Sequence, residues 1–217
     1  MLPDAIKLKI KNSAVIAVVT IDDSSNAVPL AESLIKGGVT VMELTLRSES
    51  AMDSLRLIIE QVPEMTAGVG TVLRVDQLEE IIAVGAEFGV APGLNPKIIQ
   101  RAKNLGFPFA PGIVTPSDIE LGVELGCNTL KFFPAEASGG LKYFKSMTAP
   151  YSYLKLQYIP LGGLNEDNFK SYLLDQSILA VGGSWIATRA LINQQDWEQI
   201  MTNAQRAIKI AKSLKGE

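Results

Sequence analysis

The sequence predicts an α/β protein folded as a single (β/α)8 TIM barrel with a short N-terminal helix. Short apolar runs alternate with helical patterns almost from end to end, and eight such units fit in about 200 residues. The runs are nearly continuous in apolar residues, as expected of parallel strands covered on both faces. An open doubly wound sheet is the main alternative, but no G-x-G-x-x-G helix entry follows any run. We therefore expect one domain over residues 1–217.

The eight apolar runs are the candidate strands. They lie at residues 14–19, 39–45, 65–70, 88–91, 109–112, 129–133, 156–161 and 178–182. Segments between them have helical apolar spacing, for example residues 53–59, 76–82 and 117–125. Ser117 and Asp118 open the last of these and are suited to cap a helix. The first seven or so residues predict a short N-terminal helix, and the lysine-rich tail from Lys209 predicts a C-terminal one.

Composition narrows the class of partner and the compartment. The net charge of −3 argues against nucleic acid or an anionic membrane as the main partner. Only 20% of residues are charged, so the surface is weakly polar, as expected of a chain that is partly buried in an oligomer. No stretch approaches the roughly 20 apolar residues of a membrane span, and the N-terminus lacks the pattern of a signal peptide. We expect a cytoplasmic protein.

The chain has no histidine and one cysteine, which excludes several kinds of chemistry. Cys127 cannot form an intramolecular disulfide, and a cysteine-based metal cluster is excluded. Without histidine there is no Ser-His-Asp or Cys-His mechanism, and most zinc sites are ruled out. Proton transfer must therefore come from carboxylates, lysine, tyrosine or water.

Lys131 is the most informative residue, because it lies inside the predicted strand at 129–133. Burial favours the neutral form of a lysine, and a neutral amine attacks carbonyl carbons. Schiff-base chemistry is the leading hypothesis from this residue alone. The alternative is structural: the lysine stem packs on Phe132 while the ammonium group reaches water or pairs with a carboxylate.

Other polar residues follow the predicted strands at the ends where barrel active sites lie. Alternation along the second strand places Glu43, Thr45 and Arg47 on one side, and Thr71 follows the third. Glu43 beside Lys131 is suited to pass protons through a water, and Arg47 offers a fork for a substrate carboxylate. The alternative is a structural Glu43–Arg47 pair that braces the strand.

Glycine pairs follow the last two predicted strands. Gly162-Gly163 and Gly182-Gly183, the second followed by Ser184, lead into helices and suit a phosphate site made of backbone N–H groups. The alternative is that these glycines form tight turns only.

Seven motifs, in order from about residue 14 to residue 190, resemble those of 2-keto-3-deoxy-6-phosphogluconate (KDPG) aldolases. They are ELTLR (43–47), GVGTVL (68–73), APGL (91–94), PGI (111–113), KFFPAE (131–136), GG (162–163) and GGSW (182–185). The resemblance implies a class I aldolase of the Entner–Doudoroff pathway that forms a homotrimer. It implies reversible cleavage of the phosphorylated sugar acid to pyruvate and glyceraldehyde 3-phosphate, often with 4-hydroxy-2-oxoglutarate aldolase activity.

The resemblance also implies roles for individual residues. Lys131 corresponds to the Schiff-base lysine, and Glu43 to the acid/base that acts through a water. The substrate carboxylate is assigned to Arg47 and Thr71, the pocket wall to Pro92, Phe133 and Leu161, and the phosphate to Gly162, Gly163, Gly183 and Ser184. The resemblance implies no cofactor and no metal, because the protonated imine serves as the electron sink.

One position departs from the family pattern. Leu161 stands where the gluconate-specific enzymes carry threonine, and a branched apolar residue there resembles the related galactonate aldolases. The alternatives are therefore a 2-keto-3-deoxy-6-phosphogalactonate or a 4-hydroxy-2-oxoglutarate aldolase. A non-catalytic barrel that binds a phosphorylated sugar acid is the alternative from another class. A phosphosugar epimerase is disfavoured, since such enzymes depend on histidine and metal.

Overall fold

The structure is a computed structural model that describes residues 1–215, and strands and helices largely alternate within them. The strands are β1 Val15–Val19, β2 Val41–Thr45, β3 Thr66–Gly70, β4 Phe88–Val90, β5 Phe109–Ala110, β6 Gly112–Ile113, β7 Thr129–Phe132, β8 Gln157–Pro160 and β9 Val181–Gly183. The helices are α1 Asp4–Ser13, α2 Ala27–Lys36, α3 Ala51–Gln61, α4 Val75–Val84, α5 Pro96–Asn104, α6 Pro116–Glu124, α7 Gly140–Thr148, α8 Phe169–Leu173, α9 Arg189–Asn193 and α10 Trp197–Lys215.

The strands form two parallel sheets. One has six strands in the order β5-β4-β3-β2-β1-β9, and the other has three in the order β6-β7-β8. Two isolated parallel bridges, Tyr158 to Ile178 and Leu161 to Gly182, connect β8 with the segment that ends in β9. The molecule is thus an α/β fold with a curled parallel sheet, where the sequence analysis predicts one uninterrupted eight-strand sheet.

The interruption lies at Pro111, inside the predicted fifth strand. Proline has no N–H to donate to a neighbouring strand, so the run divides into β5, which pairs with β4, and β6, which pairs with β7. The Pro111 carbonyl still accepts a hydrogen bond from the Lys131 backbone N–H at 2.8 Å. The predicted eighth strand is also shorter than expected, because before β9 only Ile178 forms a bridge.

Apolar side chains form separate clusters on the two faces of the curled sheet. Along β1, Val15, Ala17 and Val19 belong to the cluster packed under the helices, whereas Ile16 belongs to the inner cluster. Both faces of the strands are buried, which explains the nearly continuous apolar runs. In α1, Ile10 packs on the inner cluster.

Helix boundaries follow local capping chemistry. α6 begins after Thr115, whose hydroxyl accepts from the Asp118 N–H at 3.3 Å, while Asp118 accepts from the Thr115 N–H at 2.8 Å. The prediction that Ser117 opens this helix is wrong, although Asp118 does take part in the cap. The N-terminal helix is predicted but runs further than expected, to Ser13. Among the helices within residues 1–215, none is both long and apolar enough to cross a membrane.

Candidate active site

Lys131 and Glu43 form a buried ion pair. The Lys131 Nζ lies 2.7 Å from Glu43 Oε1, and their side chains are only 6% and 4% exposed. The Lys131 Nζ also lies 5.4 Å from the centre of the Phe133 ring. The amine therefore meets a carboxylate and an aromatic face, and this contact fits both the Schiff-base hypothesis and the alternative in which the ammonium group pairs with a carboxylate.

Glycine at position 70 leaves space for the Glu43 carboxylate. Glu43 pairs in register with Val18 of β1 and Gly68 of β3, and its side chain reaches over Gly70. A Cβ built on Gly70 would lie 2.0 Å from Glu43 Oε1, far inside van der Waals contact. Any larger residue at 70 would displace the carboxylate from Lys131.

A cavity of about 200 Å³ opens beside this pair, at the C-terminal ends of the strands. Every residue that the sequence analysis assigns to the site lies on its wall. These are Glu43, Arg47, Thr71, Pro92, Lys131, Phe133, Leu161, Gly162, Gly163, Gly183 and Ser184. The wall also includes Val18, Thr45 and Leu164, which the sequence analysis does not assign. The structure thus brings the predicted set together, while the role of each residue stays a prediction.

The Arg47 and Thr71 side of the cavity is held in a defined geometry. Arg47 Nε donates to Thr45 Oγ1 at 3.1 Å, and within residues 1–215 Arg47 forms no ion pair with Glu43. The alternative of a structural Glu43–Arg47 pair is therefore wrong. Thr71 has a φ of 63°, a conformation that costs a β-branched residue about 1–3 kcal/mol. Such strain is typical of a residue held in place at a functional site.

Two glycine-containing loops form another part of the cavity wall. Gly162 and Gly163, after β8, have φ values of 95° and 82°, in the left-handed region that favours glycine. The Glu136 N–H donates to the Gly162 carbonyl at 3.0 Å and ties this loop to the segment after β7. Ser184 follows Gly183 at the end of β9 and is exposed. Both loops face the cavity as the sequence predicts.

A second cavity of about 250 Å³ adjoins the first and shares Val18, Arg47 and Ser184 with it. Its remaining lining residues are Thr20, Ala187, Thr188 and Arg189. Thr20 is not among the predicted site residues, although it directly follows β1 at the end where polar side chains collect. Arg189 has no comparable sequence signal, because its partner Asp22 is 167 residues away.

Comparisons with known proteins show the family to which the chain belongs. A family model described as "Aldolase: KDPG and KHG aldolase" matches residues 6–203. A 2-dehydro-3-deoxy-phosphogluconate aldolase of Haemophilus influenzae is 40% identical over 204 residues, which are 94% of this chain and 95% of that protein.

Solved structures match over nearly the whole fold. A KDPG aldolase of Legionella pneumophila, captured with pyruvate as a covalent carbinolamine intermediate, superposes with a TM-score of 0.88 at 33% identity, covering 92% of this chain and 96% of that one. The 2-keto-3-deoxy-6-phosphogluconate aldolase of Zymomonas mobilis ZM4 with 3-phosphoglycerate superposes with a TM-score of 0.87 at 35% identity, covering 93% and 94%. The family model, the relative and the two structures agree, and the chain belongs to the KDPG and KHG aldolase family.

Proposed function

We propose that this chain cleaves 2-keto-3-deoxy-6-phosphogluconate reversibly to pyruvate and glyceraldehyde 3-phosphate, with Lys131 forming the imine. Its relatives are named as aldolases, and the chain is accordingly a class I aldolase, a carbon–carbon lyase. The observation that carries the assignment of residues is the contact of 2.7 Å between Lys131 Nζ and Glu43 Oε1 inside the cavity. A buried amine in contact with a carboxylate has the two groups that imine formation needs.

Imine formation begins with a proton transfer inside the pair. Glu43 takes a proton from the Lys131 ammonium, and the free amine attacks the C2 ketone of the substrate. Glu43 returns that proton to the oxygen of C2, which gives a carbinolamine. Loss of water then leaves the protonated imine, whose positive nitrogen withdraws electrons from C3. No histidine is needed for any of these transfers.

Carbon–carbon cleavage uses the same carboxylate. Glu43, through a water, removes the proton of the C4 hydroxyl, and the electrons of the C3–C4 bond move into the imine to form an enamine. The aldehyde leaves with its phosphate. Protonation of C3 and hydrolysis of the imine then release pyruvate and restore the lysine.

The cavity wall offers groups suited to both charged ends of this substrate. We assign its carboxylate to Arg47 and Thr71, because a guanidinium group suits bidentate binding of a carboxylate. We assign its phosphate to the loops that contain Gly162, Gly163, Gly183 and Ser184. The Zymomonas mobilis relative carries the phosphorylated acid 3-phosphoglycerate, which supports a phosphate site in this family. Pro92, Phe133 and Leu161 are proposed to line the pocket between the two ends.

One observation favours a second substrate. Leu161 is buried on the cavity wall, where a hydroxyl would otherwise contact the sugar chain. A leucine removes that contact, so the galactonate epimer, or the shorter 4-hydroxy-2-oxoglutarate, is the alternative substrate. Initial rates with the three substrates would rank them.

Trapping with borohydride tests the mechanism. Incubation with pyruvate and borohydride should add one reduced pyruvate to the peptide that contains Lys131, as detected by mass spectrometry. Lys131→Ala should form no adduct, while Lys155→Ala, a lysine of a separate cavity, should react like the wild type. If folded wild-type protein formed no adduct, the non-catalytic binding barrel would become the better hypothesis.

We also propose that both sheets belong to one closed (β/α)8 barrel, built as a single domain. Only Pro111 separates β5 from β6, so these two segments count as one interrupted strand. The bridges from Tyr158 and Leu161 support closure on the other side. Hydrogen exchange should then show β5 to β8 opening together with the rest of the sheet.

A homotrimer is proposed as the assembly. Within residues 1–215, six large apolar side chains are exposed on a chain with few charges, which supports burial between subunits; they are Leu8, Leu73, Leu105, Tyr153, Leu174 and Leu214. Sedimentation equilibrium would give the mass of the assembly.

A cytoplasmic location stays a prediction that cell fractionation would test.

A further inference from the structure

Two buried hydroxyl groups form a chain of hydrogen bonds that begins at Arg47. Thr45 Oγ1 accepts a hydrogen bond from Arg47 Nε at 3.1 Å and lies 2.8 Å from Thr20 Oγ1. Thr45 also donates to the Val19 carbonyl at 3.0 Å. Both threonines are buried, so the contacts of Thr45 with Thr20 and Val19 are shielded from competition with water, whereas Arg47 itself is exposed.

The register of the sheet brings the two threonines together. β1 and β2 are parallel, and Val18 pairs with Glu43 and Val19 with Leu44. One residue further along both strands, Thr20 lies beside Thr45. Because side chains alternate, Thr45 projects to the same side as Glu43, toward the cavity.

Counting protons assigns a direction to each hydrogen bond. The Thr45 hydroxyl has one proton, which goes to the Val19 carbonyl, since a carbonyl oxygen only accepts. Its two lone pairs then accept from Arg47 Nε and from the Thr20 hydroxyl. Thr45 thus uses all of its hydrogen-bonding capacity, and Thr20 is the donor that completes it.

This arrangement fixes Arg47 at one edge only. Within the part of the chain that the structure describes, the guanidinium group is bonded through Nε, and its two terminal nitrogens donate to no protein atom. A guanidinium group is planar, so anchoring Nε restricts the plane in which the terminal nitrogens lie. The free edge is the one that binds a carboxylate with two parallel hydrogen bonds.

We propose that Thr20 and Thr45 are positioning residues that orient Arg47 toward the substrate carboxylate, an inference that rests on the function proposed above. Thr45 acts on Arg47 directly, and Thr20 acts only through Thr45. The alternative is that the two hydroxyl groups do no more than join the ends of β1 and β2.

Pyruvate trapping at increasing pyruvate concentration separates the two roles. Thr45→Val should raise the half-saturating pyruvate concentration about tenfold, since it removes a hydrogen bond to a charged group. Thr20→Val should raise it about threefold, and Thr45→Ser, which keeps the hydroxyl, should stay within about twofold of the wild type. The maximal extent of labelling should be unchanged in all three, because Lys131 and Glu43 are untouched.

A double variant tests the order of action. Because Thr20 acts through Thr45, Thr20→Val combined with Thr45→Val should match Thr45→Val alone. Thr66→Val, a buried threonine at the opposite end of β3, controls for the cost of the same substitution outside the cavity.

Distinct outcomes would overturn distinct claims. A folded Thr45→Val protein with an unchanged half-saturating concentration would overturn the positioning role and leave the aldolase assignment intact. Independent, additive effects of the two substitutions would overturn the relay from Thr20. If Thr45→Val failed to fold, Thr20→Val would test the proposal instead. An unchanged half-saturating pyruvate concentration in Thr20→Val would then overturn it. Absence of any wild-type adduct would instead overturn the proposed function.

Discussion

Two ion pairs, one at each of the two adjoining cavities, have almost the same contact distance and very different surroundings. Lys131 and Glu43 are 2.7 Å apart with side chains 6% and 4% exposed. Arg189 and Asp22 are 2.6 Å apart with side chains 61% and 30% exposed. A buried charge that loses its partner has no water to replace it, whereas an exposed one does. Removing one partner should therefore cost more stability in the inner pair than in the outer pair, because the two pairs differ in burial and not in contact distance.

Breaking the inner pair should have the largest effect on stability. Lys131→Met leaves Glu43 as an uncompensated buried carboxylate and should lower the free energy of unfolding by about 3–5 kcal/mol. Urea denaturation at pH 7 would measure this loss.

Removing both charges separates stability from catalysis. The double variant Lys131→Met with Glu43→Leu should recover most of the lost stability, because apolar residues of similar volume replace a desolvated pair. It should still form no imine. A double variant as unstable as Lys131→Met alone would show that the pair stabilises the fold in itself.

Displacing the Glu43 carboxylate without changing any charge should have the next largest effect, this time on the rate of catalysis. Gly70→Ala places a methyl group 2.0 Å from the present position of Glu43 Oε1, so the carboxylate must move. We expect kcat to fall about 100-fold, the lower range for loss of an acid/base group. Steady-state rates would measure it.

Gly93→Ala is the matched control, because an added methyl group there meets no heavy atom within 4 Å. This control should keep the activity of the wild type. A fully active Gly70→Ala enzyme would contradict the role assigned to Glu43.

A hydroxyl at position 161 should have a smaller effect, on specificity alone. Leu161→Thr should raise the preference for the gluconate over the galactonate substrate about tenfold, because the new hydroxyl gives a sugar hydroxyl a partner worth about 1–2 kcal/mol. The ratio of kcat/KM values for the two substrates measures this preference. Leu161→Val, which adds no hydroxyl, should leave the ratio unchanged, and an equal response of the two variants would disprove the hydrogen-bond explanation.

The contrast between the two pairs also marks what the sequence alone predicts. Lys131 is visible because a lysine inside an apolar run is unusual, and Glu43 because alternation along β2 places it on the side of Arg47. Both signals are local. The fold class follows in the same way from local apolar runs, and the predicted strand at residues 39–45 contains the whole of β2.

Features that depend on distant contacts are not predictable from such patterns. The sequence does not indicate that Asp22 meets Arg189, since the two meet only when β1 and β9 pair. The division of the sheet at Pro111, by contrast, has a local signal, because proline lacks an N–H. The prediction of one strand at residues 109–112 rested on the apolar run and did not use this signal. Thr20 could likewise be found from the sequence, because it is the first polar residue after β1.

Breaking the outer pair should have the smallest effect. Hydrogen bonds from Arg189, and then from Asn193, lower the pKa of Asp22 to about 2. A lowered carboxyl pKa means that the pair stabilises the fold above the ordinary value near 4 and that this contribution is lost as the pH falls toward 2. Between pH 5 and 8 the contribution is constant, and water screens it because the side chains are largely exposed.

Asp22→Asn should therefore melt at nearly the wild-type temperature over that range and show the same trapping by pyruvate. A loss comparable to that of Lys131→Met would mean that contact distance, and not burial, sets the importance of an ion pair in this protein.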